Sequence, residues 1–292
     1  MWRQLAITVD KSSAEPVSDL LASLGAVSVS FEDAGDQPLF EPKPGETPVW
    51  QQTKVIGLFD TDADTNQIRN SVEKEFGKRV LQYQLEDLED RVWERAWLDH
   101  FQPMRFGRRL WICPTGFEPP EPEAVNVVLD PGLAFGTGTH PTTALCLEWL
   151  DGQELEGKTV IDYGCGSGIL AVAALKLGAA KAYGVDIDPQ ALTASEENAR
   201  KNSVEAGLVL GYPRELAAVR ADVLLANILA TPLIELAADI GEKVRPGGRL
   251  ALSGILATQV ETVRSAYASR FDFSPPVLRE EWALLTGVKL PG

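Results

Sequence analysis

The chain has 292 residues, 45% hydrophobic and 24% charged; this globular composition excludes a disordered or fibrous polypeptide and, at about 150 residues per domain, suggests two domains. Lys and Arg number 27 against 42 Asp and Glu, a net charge of −15, which argues against nucleic-acid binding through Lys and Arg and fits a basic partner or solubility alone. No apolar run approaches the roughly 18 residues of a membrane helix, and Met1-Trp2-Arg3-Gln4 lacks the start of a signal peptide, so the expected location is the cytoplasm.

Along the first 90 residues the periodicity predicts strand, helix, strand, strand, helix, strand. Trp2–Val9 alternates, Pro16–Leu24 has helical spacing stopped by Gly25, and Val27–Phe31 alternates again. Asp33–Pro48 is a Gly/Pro-rich loop, followed by a strand at Val49–Phe59, a helix at Asp64–Phe76 and a strand at Val80–Leu85. The order suggests a small α+β ferredoxin-like domain over residues 1–88. Residues 89–105 read as a helical linker, with Trp93, Trp97 and Phe101 on one face. Pro114–Pro122, four prolines in nine residues, reads as a loop.

Residues 106–292 form the second predicted domain. Strands are expected at Lys158–Tyr163, Ala182–Asp186, Leu208–Leu210, Asp222–Ala226 and Arg249–Ser253. Helices are expected at Ala144–Leu150, Gly168–Leu177, from Pro189, at Pro232–Val244 and at Leu256–Ser269, with a last hairpin from Val277–Leu278 and Glu281–Val288. Such alternation implies an α/β fold with a mainly parallel, Rossmann-like sheet.

Four segments carry chemistry. Asp162-Tyr163-Gly164-Cys165-Gly166-Ser167-Gly168 joins a strand to a helix. Glycines there permit tight turns and close ligand approach. The spacing is G-x-G-x-G, not the dinucleotide G-x-G-x-x-G. Asp162 would repel a pyrophosphate and attract an ammonium, which favours S-adenosylmethionine. Asp186 ends the next strand, where an acid accepts ribose hydroxyls; Asp188, before Pro189, reads as a helix cap. Asn227 follows the strand Asp222–Ala226, either as an acceptor for a substrate N–H or as a helix cap. Asp130–Thr143, with Phe135, Thr137 and His140, reads as a small-residue loop able to close over a cofactor. Three cysteines without paired spacing and two histidines supply no zinc set, so no metal is expected.

On these residues, 159–290 resembles a class I S-adenosylmethionine-dependent methyltransferase. The block Leu129–Thr143, with Asn227-Ile228-Leu229-Ala230 and the small first domain, resembles the ribosomal-protein methyltransferase family PrmA. The resemblance implies an expected seven-stranded sheet and transfer of methyl groups to amino groups, lysine side chains and the N-terminal amine, of large-subunit ribosomal protein number eleven. It also implies recognition of that protein by the first domain and cofactor contacts at Thr143, Gly164, Asp186 and Asn227, to which the loop reading adds Asp162, Gly166, Phe135 and Thr137. Asn227 is the expected catalytic residue. Ile228, Leu229 and Ala230 stand where many amino-group methyltransferases carry Pro-Pro-Tyr. The rival expectations are an RNA methyltransferase and an NAD-dependent oxidoreductase.

Overall fold

The computed structural model describes residues 2–35, 49–88, 102–129, 140–216 and 218–291. The chain divides into two compact units, Met1–Ala96 and Trp97–Gly292.

The first unit runs β1 (Trp2–Asp10), α1 (Lys11–Ser23), β2 (Ser28–Asp33), β3 (Gln52–Asp60), α2 (Thr65–Phe76) and β4 (Val80–Leu88). Its sheet has the order β2-β3-β1-β4 with every neighbouring pair antiparallel, the ferredoxin-like arrangement. Asp10 and Asp64 start the two helices: Asp10 accepts from Ser13 N at 3.0 Å, and Asp64 from Asn66 N and Gln67 N at 3.0 and 3.1 Å. Leu5, Ile7 and Val9 alternate inward and meet Val17, Leu21, Ile68 and Val72 of the helices.

The second unit opens with β5 (Met104–Phe106), β6 (Leu110–Cys113) and β7 (Val125–Val128), a three-stranded sheet. Then come α3 (Pro141–Asp151), β8 (Thr159–Tyr163), α4 (Ile169–Lys176), β9 (Lys181–Val185), α5 (Pro189–Lys201), β10 (Leu208–Gly211) and β11 (Ala221–Asn227). The chain continues through α6 (Ala230–Glu235), α7 (Ala237–Lys243), β12 (Val244–Leu256), α8 (Val260–Tyr267), β13 (Phe271–Phe273), β14 (Val277–Arg279) and β15 (Trp282–Lys289). Seven strands lie in the order β10-β9-β8-β11-β12-β15-β13, and short β14 adds an eighth beside β15. Pairing is parallel from β10 to β12 and antiparallel at β15. Successive residues of β8 and β11 alternate between two cores. Val160, Val223 and Leu225 face α3 and α4, whereas Ile161, Leu224 and Ala226 face the α6–α8 side. Burial on both faces explains why these strands read as continuous apolar runs.

Several expectations differ from the structure. The helix expected over Pro232–Val244 is two, α6 and α7, broken at Leu236. It begins before Pro232 because proline is tolerated in a first turn. Val244 already belongs to β12, which loops out Arg245–Gly248 between its first pairing with β11 and the next. The helix expected from Leu256 begins as a single 3₁₀ turn at Ala257–Gln259. The β5–β7 sheet was not expected at all, and Met104 and Arg105 of the expected helical linker lie in β5. Gln102 and Pro103 carry no regular structure, and residues 89–101 of that linker, with its aromatic face, lie outside the described residues.

Candidate active site

The long sheet changes winding direction beside β8. From β8 the chain proceeds to β9 and β10 on one side, and β11 and β12 lie on the other. In an open parallel sheet the crevice for a ligand lies at the carboxyl ends of the strands at that switch. Asp162, Gly164, Asp186 and Asn227 stand there, because Tyr163 pairs with both Val185 and Ala226.

The loop after β8 is shaped by its glycines. Gly164, Gly166 and Gly168 have φ of 77°, 52° and 74°, values that strain any residue with a Cβ. Gly164 N and Cys165 N donate to Val185 O at 2.7 and 3.0 Å. Ser195 Oγ donates to Gly166 O at 2.9 Å, and Asn198 Nδ2 to Ser167 O at 2.9 Å. Both side chains lie on the buried face of α5. Neither was singled out from the sequence. The available signal is polar residues at 195, 198 and 202 in helical step with buried Ala191 and Ala199.

Asp162 is 1% exposed. One carboxylate oxygen, Oδ2, accepts from Ala171 N at 3.1 Å; the other, Oδ1, has no hydrogen-bond partner among the described residues. Burial, with Asp186 nearby as a second carboxylate, pushes its pKa up to about 8. A buried oxygen with no donor is costly, and a cationic donor is the chemistry that relieves it. Asp186 is half-buried and accepts from Gly166 N at 2.9 Å through Oδ2 and from Asp188 N at 3.0 Å through Oδ1. Each oxygen keeps a further lone pair. The carboxylate therefore binds the glycine loop to the next strand while remaining able to accept hydroxyls.

Asn227 ends β11, half-buried. Its Nδ2 donates to Thr143 Oγ1 at 3.2 Å, which leaves Oδ1 to accept from another donor. Asn227 is not a helix cap: α6 begins at Ala230 with Leu229 at its N-cap, without a side-chain cap. Thr143 is held in the first turn of α3. Behind the strand end, Tyr163 donates from its hydroxyl to Asp239 Oδ2 at 3.2 Å. Burial and that carboxylate push the phenol up to about 12, so it stays a donor. His140 caps α3, its Nδ1 accepting from Thr142 N at 3.3 Å, and its ring meets Trp282 edge-on at 4.9 Å. Asp188 caps α5, accepting from Gln190 N at 2.8 Å. Phe135 and Thr137 lie outside the described residues. Among the described residues there is no group of three or more His, Cys, Asp or Glu that could hold a metal, and no helix is long and apolar enough to cross a membrane.

Comparison with known proteins is specific. A family model described as Ribosomal protein L11 methyltransferase (PrmA) matches residues 1–290. A protein named Ribosomal protein L11 methyltransferase from Methylococcus capsulatus is 59% identical over 291 residues, covering 99% of each chain. One of the same name from Pseudomonas putida is 55% identical over 287 residues, 98% of each. The crystal structure of ribosomal protein L11 methylase from Lactobacillus delbrueckii subsp. bulgaricus superposes with a TM-score of 0.60 at 33% identity, covering 65% of this chain and all of that one.

Proposed function

The chain belongs to the ribosomal protein L11 methyltransferase family, PrmA, and we propose that its strand-end site methylates amino groups of that ribosomal protein. As a member it is an S-adenosylmethionine-dependent methyltransferase. The match across the whole chain disfavours the oxidoreductase and RNA-modifying alternatives.

The cofactor, when bound, supplies a methyl group on an already activated sulfonium, so the protein chiefly has to position the partners. The residues present fit it. The unpartnered Asp162 Oδ1 is an acceptor for the α-ammonium. Asp186 accepts the ribose hydroxyls, and the glycine loop keeps side chains other than Cys165 and Ser167 out of the turn. Phe135 and Thr137 belong to the segment assigned to cover the cofactor.

One observation carries the catalytic assignment: the hydrogen bond from Asn227 Nδ2 to Thr143 Oγ1. With the amide nitrogen turned to Thr143, Oδ1 is presented as an acceptor. An amine that donates one N–H to Oδ1 has its lone pair turned in a defined direction, toward the transferred methyl. The amine must arrive neutral. A lysine ordinarily loses its proton near pH 10.4, so at pH 7 the neutral form costs about 4.6 kcal/mol. The proton is assigned to water as the amine leaves bulk solvent.

Recognition of the ribosomal protein is assigned to residues 1–88, since every cofactor segment lies beyond residue 128 and the first 90 residues carry 8 Lys and Arg against 17 Asp and Glu. That charge suits a basic partner. A cytoplasmic location follows from such a substrate. The test is incubation of the purified protein with methyl-labelled S-adenosylmethionine and purified ribosomal protein L11. Label in methylated lysine and in the N-terminal residue of L11 supports the reading. Label in RNA, or none in L11, refutes it.

A further inference from the structure

Asn227 is followed by Ile228-Leu229, so the chain lacks two prolines that would fix φ at consecutive residues. Something else has to hold the acceptor still. The structure shows what touches this segment on two sides. On one side is the glycine loop: a Cβ built on Gly164 would lie 2.2 Å from Ile228 Cγ2. The branched methyl of Ile228 therefore occupies the space that a side chain at 164 would need. On the other side is Gly254, with φ of 80°. A Cβ there would lie 2.4, 2.8 and 3.1 Å from the O, C and N atoms of Ile228.

Gly254 sits where the β12–β15 register shifts, between Leu252 and Ile255. Bulges of this kind re-aim side chains beside sites. The preceding residue, Ser253, pairs with Asn227 across β11–β12. Its buried hydroxyl is within hydrogen-bond distance of Thr142 O at 3.3 Å and Ala283 O at 3.1 Å. Ile228 is thus wedged between two glycines, one in the cofactor loop and one in a strand tied to the helix that carries Thr143.

We infer that Ile228 is a positioning residue: its Cγ2 methyl against Gly164, with its backbone seated on Gly254, fixes the gap between the Asn227 acceptor and the cofactor loop. The role depends on the β-branch, not on side-chain volume. This rests on the active-site reading above for its link to catalysis, whereas the wedge itself consists of contacts within the chain.

The experiment uses the full-length protein and three variants, Ile228→Val, Ile228→Leu and Gly254→Ala. Valine keeps Cγ2 and loses the terminal methyl; leucine keeps the volume and loses Cγ2. Hydrogen exchange of residues 226–231 in the cofactor-free protein is measured together with S-adenosylmethionine Kd, the single-turnover methylation rate on ribosomal protein L11, and Tm. Expected are near-normal exchange and rate for Ile228→Val. Ile228→Leu should show faster exchange and a rate lowered about ten- to a hundredfold, the scale of a misaligned attack, with Kd within about threefold. Gly254→Ala should behave like Ile228→Leu. Faster exchange in valine than in leucine, equal rates for the two, or a rate loss matched by the loss in Kd would overturn the inference. If the parent protein leaves L11 unmethylated, the proposed function fails, while the exchange order still decides whether the wedge exists.

Discussion

Asp162 is a carboxyl withheld from water at the end of a strand, and its titration has consequences that can be measured. Its pKa, pushed up to about 8 by burial and by Asp186, compares with about 3.9 for an unfolded aspartate. Between those values the folded state binds a proton that the unfolded state has lost. The contribution of this group to cofactor-free stability is therefore greatest at or below about pH 4 and falls as the pH rises toward 8. Denaturant melts of the parent and of Asp162→Asn should diverge over that interval, with the parent losing ground; parallel curves would mean the carboxyl is already ionised. An ammonium placed beside Asp162 favours its charged form, so S-adenosylmethionine should bind with proton release near pH 7, seen by calorimetry in two buffers of different ionisation enthalpy. Asp186→Ala removes charge-assisted acceptors worth roughly 1.5–3 kcal/mol each, and cofactor Kd should rise about ten- to a hundredfold. An unchanged Kd would remove Asp186 from the site. The glycine loop, Asp186 and Asn227 were legible in the sequence because strand-to-loop junctions confine their roles to local geometry. The burial of Asp162, the Asn227–Thr143 bond and the Ile228 wedge were not, since each joins residues that only the folded sheet brings together.

The elements were most legible where burial imposes one period. β8 and β11 are covered on both faces and α2 places Ile68, Val72 and Phe76 inward, so runs and spacings named them. The sheet β5–β6–β7 escaped because strands of three or four residues carry too little alternation, and the Pro-rich stretch separates two of them. Its anchor is a side chain on α3. Buried Asp151 accepts from Arg108 N at 2.7 Å and Arg109 N at 3.2 Å in the turn between β5 and β6. A second anchor lies just past the end of α5. Asn202, buried, accepts from Val128 N through Oδ1 and donates through Nδ2 to Val128 O, both at 2.7 Å. It thereby pairs with the end of β7 as a neighbouring strand would. Asn202→Ala leaves both part-buried backbone groups of Val128 without that partner, at about 1–3 kcal/mol for the two together. For a unit of this size the Tm should fall by roughly 2–12 °C. A Tm within about 1 °C of the parent would show that water replaces the amide at no cost.

At the scale of the whole molecule, each compact unit has its own core. Leu5, Val17, Val55 and Ile68 belong to one cluster, and among the described residues the clusters of the second unit draw on residues from Met104 onward. Removal of residues 1–88 should accordingly leave a folded unit that binds S-adenosylmethionine with a Kd close to that of the full chain and no longer methylates L11. Full-rate methylation by the truncated protein would move recognition into residues 89–292. The most direct measurement of the central claim is made on Asn227→Ala in the full chain: cofactor Kd, Tm and single-turnover methylation of L11 on one preparation. An acceptor that orients the amine acts in the transition state. Its loss should lower the single-turnover rate about ten- to a hundredfold while Kd changes by less than about threefold and Tm stays near that of the parent. A variant that is destabilised yet transfers methyl groups at the parent rate would contradict the account.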